Sequence, residues 1–382
     1  MKKKLSIAYV LVLFFALAMV FGGSKDVFAI TQAEAEASPE IKVNEVKTDT
    51  LSGQNDIKWY KVNVTDRGYF RLTLGPNADA NSDDISFGWN VFLYKKGDLT
   101  AELVKLTHVT TKEASMWMAY YPDTYYIKVE NNVNYVSALA AKAPFDLKIE
   151  FNKTDVWEQE DNNKSVNPNV INVNTTYNGI TNVADDIDWY KFTVTEGGVT
   201  NISFGPDLNL ADMEKLKWGW NLFVYTTDLK TEVCKLEKVT NPSSLEQKIK
   251  LGKGSYLIKI CPNSNGYFSP DRQIYSFSID FEGYSTAITK EKVNLKKVKA
   301  GKKKATLKWD KISYASGYEI YRSTKSNKGF KKIATVKGSK AKYVSKKLKS
   351  KKKYYYKVRA FVTVNGKKYY SQDSAVKKVK AK

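Results

Sequence analysis

The sequence predicts an all-β protein in which a signal peptide is followed by three β-sandwich domains in tandem, two of them duplicated. Three observations lead to this prediction. Apolar and polar residues alternate in blocks along most of the chain, turn residues separate the blocks, and two long stretches repeat each other. At 382 residues the chain is long enough for two or three ordinary domains.

The N-terminus has the layout of a secretory signal peptide, which we assign to residues 1–29. Three lysines at positions 2–4 precede an apolar run from Leu5 to Phe21, and small residues precede Ile30. Polar and glycine residues follow the run at once, which favours cleavage. An uncleaved membrane anchor is the alternative, because the run is nearly long enough to span a bilayer. We expect a monomeric mature chain outside the cell, free or retained at the cell surface, with no transmembrane segment.

Residues 38–154 and residues 155–285 are two copies of one domain. The stretch NDIKWYKVNV from Asn55 corresponds to DDIDWYKFTV from Asp185, and the other matched blocks keep an offset of 130 or 131. A period this long indicates domain duplication and not a solenoid.

The blocks of both copies alternate as half-buried strands do. Tyr190 and Phe192 share one face of their block while the residues between them are polar. We interpret each copy as an antiparallel, jelly-roll-like β-sandwich. Trp89, Trp218 and Trp220 alternate in step with apolar neighbours. This favours packing in the core, with a sugar-stacking platform as the alternative.

The two cysteines, Cys234 and Cys261, do not make a disulfide scaffold of a secreted chain this long. Strand alternation places Cys234 beside Leu236 and turns Cys261 outward, which favours two free thiols. A bridge inside the second copy is the alternative.

Charge is distributed unevenly along the chain. Residues 289–382 contain 32 Lys and Arg against 4 Asp and Glu, a balance of +28. Residues 30–288 contain 26 Lys and Arg against 35 Asp and Glu, a balance of −9. The net charge of +22 therefore belongs to the C-terminal segment, and the two parts are expected to have separate roles.

The lysine-rich segment 289–382 resembles a fibronectin type III domain. Trp309 on an early strand, and Leu348 six residues before Tyr354, carry the likeness. The resemblance implies a third sandwich, with Tyr354 as the tyrosine-corner residue whose hydroxyl bonds the backbone nearby. Lysine-clustered domains of this kind are similar to those in secreted proteins of Gram-positive anaerobes.

The second copy opens with WEQEDNNKS from Trp157 and continues with DDIDWYKFTVTEGG from Asp185. The acidic opening, the Asp block and the Gly-Gly hairpin together resemble the bacterial pre-peptidase C-terminal domain. That family includes the collagen-binding domains of clostridial collagenases. The resemblance covers residues 156–283 directly and residues 38–154 through the repeat. It implies calcium binding, because several such domains bind calcium through the opening and the Asp block.

The residue types suit calcium, which takes six to eight oxygen ligands. The candidate ligands are Glu158, Glu160, Asn162, Asn163, Asp185 and Asp188. Carboxylates crowded at one end of a sheet would repel one another without a cation, and a carbonyl near Trp189 could complete the shell. The alternative is that these residues only form turns and solvate a strand end. We expect one Ca²⁺ site, in the second copy.

The first copy is expected to keep the fold and to lack the metal. Of the glutamate pair it retains Glu40 alone, and Lys58 stands where the second copy has Asp188. A lysine ammonium that pairs with Asp56 can replace the charge of the cation. An Asp188→Lys change in the second copy is expected to abolish the site and leave the fold intact.

The sequence does not predict an enzyme, and it offers no catalytic or cofactor-binding residues. The single histidine, His108, lies on an apparent strand, and neither G-x-S-x-G nor H-E-x-x-H occurs. We expect a non-catalytic secreted or surface-associated binding protein. Its basic domain would bind an anionic cell-wall polymer, and nucleic acid only non-specifically. The alternatives are an adhesin for a collagen-like matrix protein and an accessory module of a separately encoded secreted protease.

Overall fold

The computed structural model describes residues 30–85, 87–110, 114–132, 142–181, 186–207, 219–239, 245–263 and 273–382. The predicted signal peptide, Asp185 and Trp218 lie outside these ranges. The prediction of an all-β chain is confirmed, with 56% of residues in strands and 5% in helices.

In the described residues the first copy contains strands β1 to β8 and one short helix, and another short helix precedes it. The strands are β1 (Val46–Asp49), β2 (Ile57–Val64), β3 (Gly68–Pro76), β4 (Trp89–Lys95), β5 (Val104–Val109), β6 (Ala114–Met118), β7 (Asp123–Asn131) and β8 (Phe145–Lys153). Helix α1 (Gln32–Glu36) begins with a capping box between Thr31 and Glu34, and α2 (Ser82–Ile85) precedes β4. The sheets have the strand orders β1-β8-β3-β6 and β2-β7-β4-β5.

The second copy repeats this topology. Its strands are β9 (Asn169–Val170), β10 (Thr176–Thr181), β11 (Asp188–Val194), β12 (Gly198–Pro206), β13 (Trp220–Thr226), β14 (Glu232–Val239), β15 (Leu245–Leu251), β16 (Gly254–Pro262) and β17 (Gln273–Gly283). The orders are β10-β17-β12-β15 and β14-β13-β16-β11-β9, so each strand from β10 onward has the neighbours of its counterpart in the first copy. The two segments therefore share one order of strands in each of their two sheets.

Alternation decides which residues form the core of the second copy. In β11, positions 188, 190, 192 and 194 are buried, while the residues between them are not. Phe192 and Leu222 from one sheet and Ile202 and Phe277 from the other belong to the same apolar cluster. Trp89 and Trp220 are fully buried, so the prediction that they pack in the core is confirmed.

The C-terminal segment forms a separate pair of sheets. Its strands are β18 (Lys297–Gly301), β19 (Lys304–Lys308), β20 (Gly317–Ser323), β21 (Lys331–Lys337), β22 (Lys342–Ser345), β23 (Lys353–Val364), β24 (Lys367–Tyr370) and β25 (Lys377–Lys380). The sheets have the orders β18-β19-β22 and β21-β20-β23-β24, and β25 also pairs with β23. The Tyr354 hydroxyl accepts a hydrogen bond from the Lys349 amide at 2.9 Å, which confirms the expected contact with nearby backbone.

The chain divides into two compact units. The first holds the described residues up to Asp66 with Phe70–Met116 and Pro122–Phe151, and the second holds Asn152–Lys382 with Arg67–Tyr69 and Trp117–Tyr121. Inside the second unit, helix α3 (Tyr284–Lys290) connects β17 to the lysine-rich sandwich. Across the described ranges, no helix has the length and apolar character needed to cross a bilayer.

Both thiols are free, as predicted. Cys234 is buried and donates to Gln247 Oε1 at 3.3 Å. Cys261 is half-buried, but it alternates with the buried residues Ile260 and Pro262 and so lies on the outward face of its strand, as expected.

Candidate metal centre in the second repeat

The segment before β10 places Glu158 inside the second sandwich. The Glu158 amide donates to the carbonyl of Asn178 at 2.9 Å, and the Asn178 amide donates to the carbonyl of Val156 at 2.9 Å. These two hydrogen bonds hold the segment alongside β10, so that Glu158 lies next to Gly179. A Cβ at position 179 would lie 2.5 Å from Glu158 Oε2, so the glycine leaves the space that the carboxylate occupies.

The loop that follows carries Glu160 to the first residue of β11, which is Asp188. The Trp189 amide donates to the carbonyl of Asn162 at 3.1 Å and fixes the loop against this strand. Asp188 lies opposite Ile260 on β16, on the inward face of the sheet. Two segments that are distant in the sequence therefore bring their carboxylates to one place.

Glu158, Glu160 and Asp188 form a buried acidic triad that could hold a metal ion. Each offers one carboxylate oxygen, and the three oxygens lie within 4.8 Å of one another. The exposed fractions of these residues are 0%, 5% and 0%. Within the described part of the chain, no Lys or Arg pairs with any of the three. Three buried carboxylates without a basic partner are costly unless they retain protons or bind a cation.

The side-chain amide of Asn162 completes the cluster. This residue is fully buried, and one terminal amide atom lies 3.1 Å from both Glu160 Oε2 and Asp188 Oδ1. When that atom is the nitrogen, the amide donates to both carboxylates. When the amide is turned over, its oxygen points at the same place and can act as a metal ligand.

Two tyrosines enclose the cluster on the core side. The Tyr275 hydroxyl lies 2.6 Å from Asp188 Oδ2 and 3.0 Å from Glu158 Oε2, and the Tyr190 hydroxyl lies 3.0 Å from the same Glu158 oxygen. The two hydroxyls are 2.7 Å apart. Both rings are fully buried and pack among aromatic residues, so water is excluded from this side. The side chains of the cluster are thereby held in place by hydrogen bonds.

The environment disfavours ionisation of all three carboxyl groups. Burial, and then the charge of Asp186, raises the pKa of Glu158 to about 8. Burial and the charges of Glu158 and Asp186 raise the pKa values of Glu160 and Asp188 well above the ordinary range. A cation among these oxygens would replace the protons that the carboxyls otherwise retain.

The structure does not bring all six predicted ligands together. Glu158, Glu160, Asn162 and Asp188 meet, but Asn163 is exposed and its Oδ1 accepts from the Ile187 amide at 2.9 Å. Asp185 lies outside the described residues. Sequence reasoning missed the adjacent Asp186, which is 5% exposed and acts on the pKa of every carboxyl in the triad. The run DDID was the only signal for it.

The first copy has an ion pair at the corresponding place. Lys58, which corresponds to Asp188, bonds the carboxylate of Asp49, and Tyr60 Oη donates to the same carboxylate at 2.8 Å. The prediction that Lys58 pairs with Asp56 is wrong, because the Asp56 carboxylate accepts from the amide and hydroxyl of Ser52.

The strand register explains how Asp49 replaces a ligand. Asp49 lies opposite Phe145, and the corresponding pair in the second copy is Gly179 and Tyr275. The Asp49 side chain therefore starts from the position where the second copy has no side chain and admits Glu158. In the first copy, one carboxylate and one ammonium occupy the place that the acidic triad occupies in the second.

The chain has neighbours among solved structures but no match to a family model or to a curated protein. The pre-peptidase C-terminal domain of collagenase from Bacillus anthracis is 21% identical over 30% of this chain and 94% of that domain, with a TM-score of 0.24. A fibronectin type III-like protein from Clostridium thermocellum is 32% identical over 19% of this chain and 74% of its own, with a TM-score of 0.17. A β-1,2-glucanase from Parabacteroides distasonis is 18% identical over 50% of this chain and 28% of its own, with a TM-score of 0.22. The structural neighbours thus include domains of both types that the sequence resembles.

Proposed function

We propose that this chain is a secreted, non-catalytic binding protein whose second repeat is stabilised by Ca²⁺ and whose lysine-rich domain binds an anionic cell-wall polymer. The observation that carries the binding role is the segregation of charge, with +28 on residues 289–382 and −9 on the rest of the mature chain. The buried triad carries the calcium role. These two parts of the proposal are tested separately.

The donor set favours calcium over other metals. Glu158, Glu160, Asp188 and Asn162 offer oxygen only, which suits hard divalent cations and not zinc or copper. Mg²⁺ prefers to keep several waters, whereas Ca²⁺ accepts a cage made by the protein.

The same burial argues against a catalytic role for these carboxylates. Glu158 and Asp188 are fully buried beneath Tyr190 and Tyr275, so a polymeric substrate has no route to them. The single histidine, His108, has its Nδ1 3.1 Å from the side-chain amide of Asn132. The cluster is therefore suited to stabilising the fold.

Calorimetric titration of the metal-free protein with Ca²⁺ should give one site per chain. The reason is that the ion pair of Lys58 and Asp49 replaces the acidic cluster in the first copy. An Asn163→Ala variant should also bind one equivalent, because Asn163 lies outside the cluster. Two equal sites, or none, would contradict the calcium part of the proposal.

The lysine-rich domain presents its charge to solvent. Most of its lysines are exposed, and they create a field that extends roughly 8 Å at physiological salt. A polyanion that contacts several of them releases bound counterions, so its affinity falls steeply as salt increases. Such binding needs no pocket, since the contacts are spread over strand surfaces.

Retention of the full-length secreted protein on purified Gram-positive cell walls tests the binding role. We expect the apparent affinity to fall at least 10-fold between about 50 and 200 mM salt, because phosphate contacts have this dependence. Immobilised collagen serves as the comparison. Retention on collagen that needs calcium and resists salt would overturn the polymer proposal in favour of a matrix adhesin.

A further inference from the structure

The larger sheet of the lysine-rich domain carries cations and aromatic rings on its outward face. Tyr321 lies opposite Lys357, Tyr355 opposite Lys378, and Thr363 opposite Lys368, and such cross-strand partners share a face. The opposite face of β23 is apolar, with Tyr356, Val358 and Ala360 fully buried in the core. We call the outward face of β21, β20, β23, β24 and β25 the cationic sheet face.

We propose, on the basis of the polymer-binding function above, that the cationic sheet face is the binding surface and that its ligand is a linear polyol phosphate. The cations on it include Lys337, Lys353, Lys357, Arg359, Lys368 and Lys378. Neighbouring strands lie about 4.8 Å apart, and outward residues recur about every 7 Å along a strand. The face therefore presents a regular grid of positive charge that complements a flexible chain of regularly spaced phosphates.

The centre of the face is built around a buried carboxylate. Glu319 is 1% exposed, and it accepts from Arg359 at 2.9 Å, from Lys332 at 3.1 Å and from the Tyr321 hydroxyl at 2.6 Å. Although burial opposes it, these hydrogen bonds lower the pKa of Glu319 to about 2. The ionised carboxylate anchors Arg359 while leaving the cations around it in excess.

Three aromatic rings of the face, those of Tyr321, Phe361 and Tyr370, already have cations over them. The Arg359 guanidinium lies 3.8 Å from the Tyr370 ring centre and 5.2 Å from that of Tyr321, and Lys368 lies 4.3 Å from the ring centre of Phe361. Nucleic-acid platforms stack bases on open aromatic faces. Here the three rings position cations by cation–π contacts. We therefore expect bases to add little to the affinity of a ligand for this part of the face.

The choice of cation suits phosphate groups on a flexible chain. Residues 289–382 contain two arginines, Arg322 and Arg359, and the other cations are lysines. Arginine binds carboxylate or phosphate with a rigid fork, whereas lysine is a mobile point charge that contacts phosphate oxygens from many directions. A linear polymer of phosphodiesters joined by flexible aliphatic polyols suits such lysines.

The smaller sheet of the same domain provides a matched control. Its outward face carries four exposed lysines, Lys299, Lys304, Lys308 and Lys342. Thr306 and Val344 lie on the same face, which has no aromatic ring. Changing these four lysines to glutamine alters the net charge as much as changing Lys337, Lys353, Lys368 and Lys378. Each set of four substitutions falls at exposed positions, so both variants should fold.

The test measures the dissociation constant of the full-length secreted protein and both fourfold glutamine variants for fluorescent poly(glycerol phosphate). We expect the cationic-face variant to bind at least 10-fold more weakly and with a shallower salt dependence, while the control variant changes less than 3-fold. Equal losses in the two variants would overturn the assignment of the face and leave the polymer-binding function standing. An eightfold variant that still binds like the wild type would overturn that function itself.

The identity of the ligand is tested with two further polyanions of equal charge. Oligo(dT) and polygalacturonate should each bind the wild-type protein no more tightly than poly(glycerol phosphate). A 10-fold preference for oligo(dT) would overturn the proposal in favour of single-stranded nucleic acid. The same preference for polygalacturonate would overturn it in favour of a carboxylated polysaccharide.

Discussion

Calcium at a hundred times its dissociation constant should raise the unfolding temperature of the second repeat by roughly 10 °C, and an Asp188→Lys variant should show no such rise. Ligand at this excess stabilises the folded state by about 2.7 kcal/mol, and each kcal/mol shifts the transition of a domain of this size by a few degrees. Differential scanning calorimetry with calcium and with a chelator measures the difference.

The variant should remain folded because the first copy is folded with a lysine at the corresponding position. There Lys58 bonds Asp49, and Tyr60 donates to that carboxylate. A lysine at position 188 would stand beside Glu158 and Glu160, so its ammonium would pair with carboxylates that otherwise need a cation. We therefore expect the metal-free variant to be at least as stable as the metal-free wild type.

Lys58→Gln is the matched control, because it removes a cation at the corresponding position of the copy that lacks the triad. It should lower the unfolding temperature of the first copy equally with and without calcium, since Asp49 then loses its partner. A calcium effect that persists in the Asp188→Lys variant would show that the ion binds elsewhere.

The fold could be predicted from the sequence because its signals are local. Alternation in β11 sets which of its residues face the core, and glycine turns mark where strands end. The repeat presents these strand and turn patterns twice, so the strands assigned in one copy support those assigned in the other. The three short helices of the described residues were not predicted, and α3 lies at the boundary where the sequence indicated only a change of composition.

The candidate site was predicted less completely because its residues meet through long-range strand pairing. Lys58 has Asp56 two residues away, but its partner Asp49 reaches it from β1 on the other sheet. In the loop before β11, Asn162 turns inward and Asn163 outward, and irregular backbone has no alternation that could distinguish them. Tyr275 follows the pattern of a core residue, and nothing in the sequence marks its hydroxyl as a partner of Asp188.

The metal-free protein should lose stability as the pH rises from about 4.5 to about 8, and calcium should reverse this trend. In the folded state the pKa of Glu158 is raised from 4.5 to about 8, so the folded state retains a proton that the unfolded state releases. Between these values the free energy of unfolding falls by about 1.4 kcal/mol per pH unit for one such group. Glu160 and Asp188 have raised pKa values for the same reason and add to the fall.

Chemical denaturation at pH 5, 6, 7 and 8, with a chelator and with saturating calcium, measures both curves. With calcium bound, the carboxylates are held ionised, so protons compete with the ion and stability should rise with pH. Glu158→Gln keeps the size of the side chain and removes one titrating group, so its chelator curve should be shallower by about 1.4 kcal/mol per pH unit. A chelator curve that rises with pH in the wild type would mean that the buried carboxyls are already ionised and stabilised without a cation.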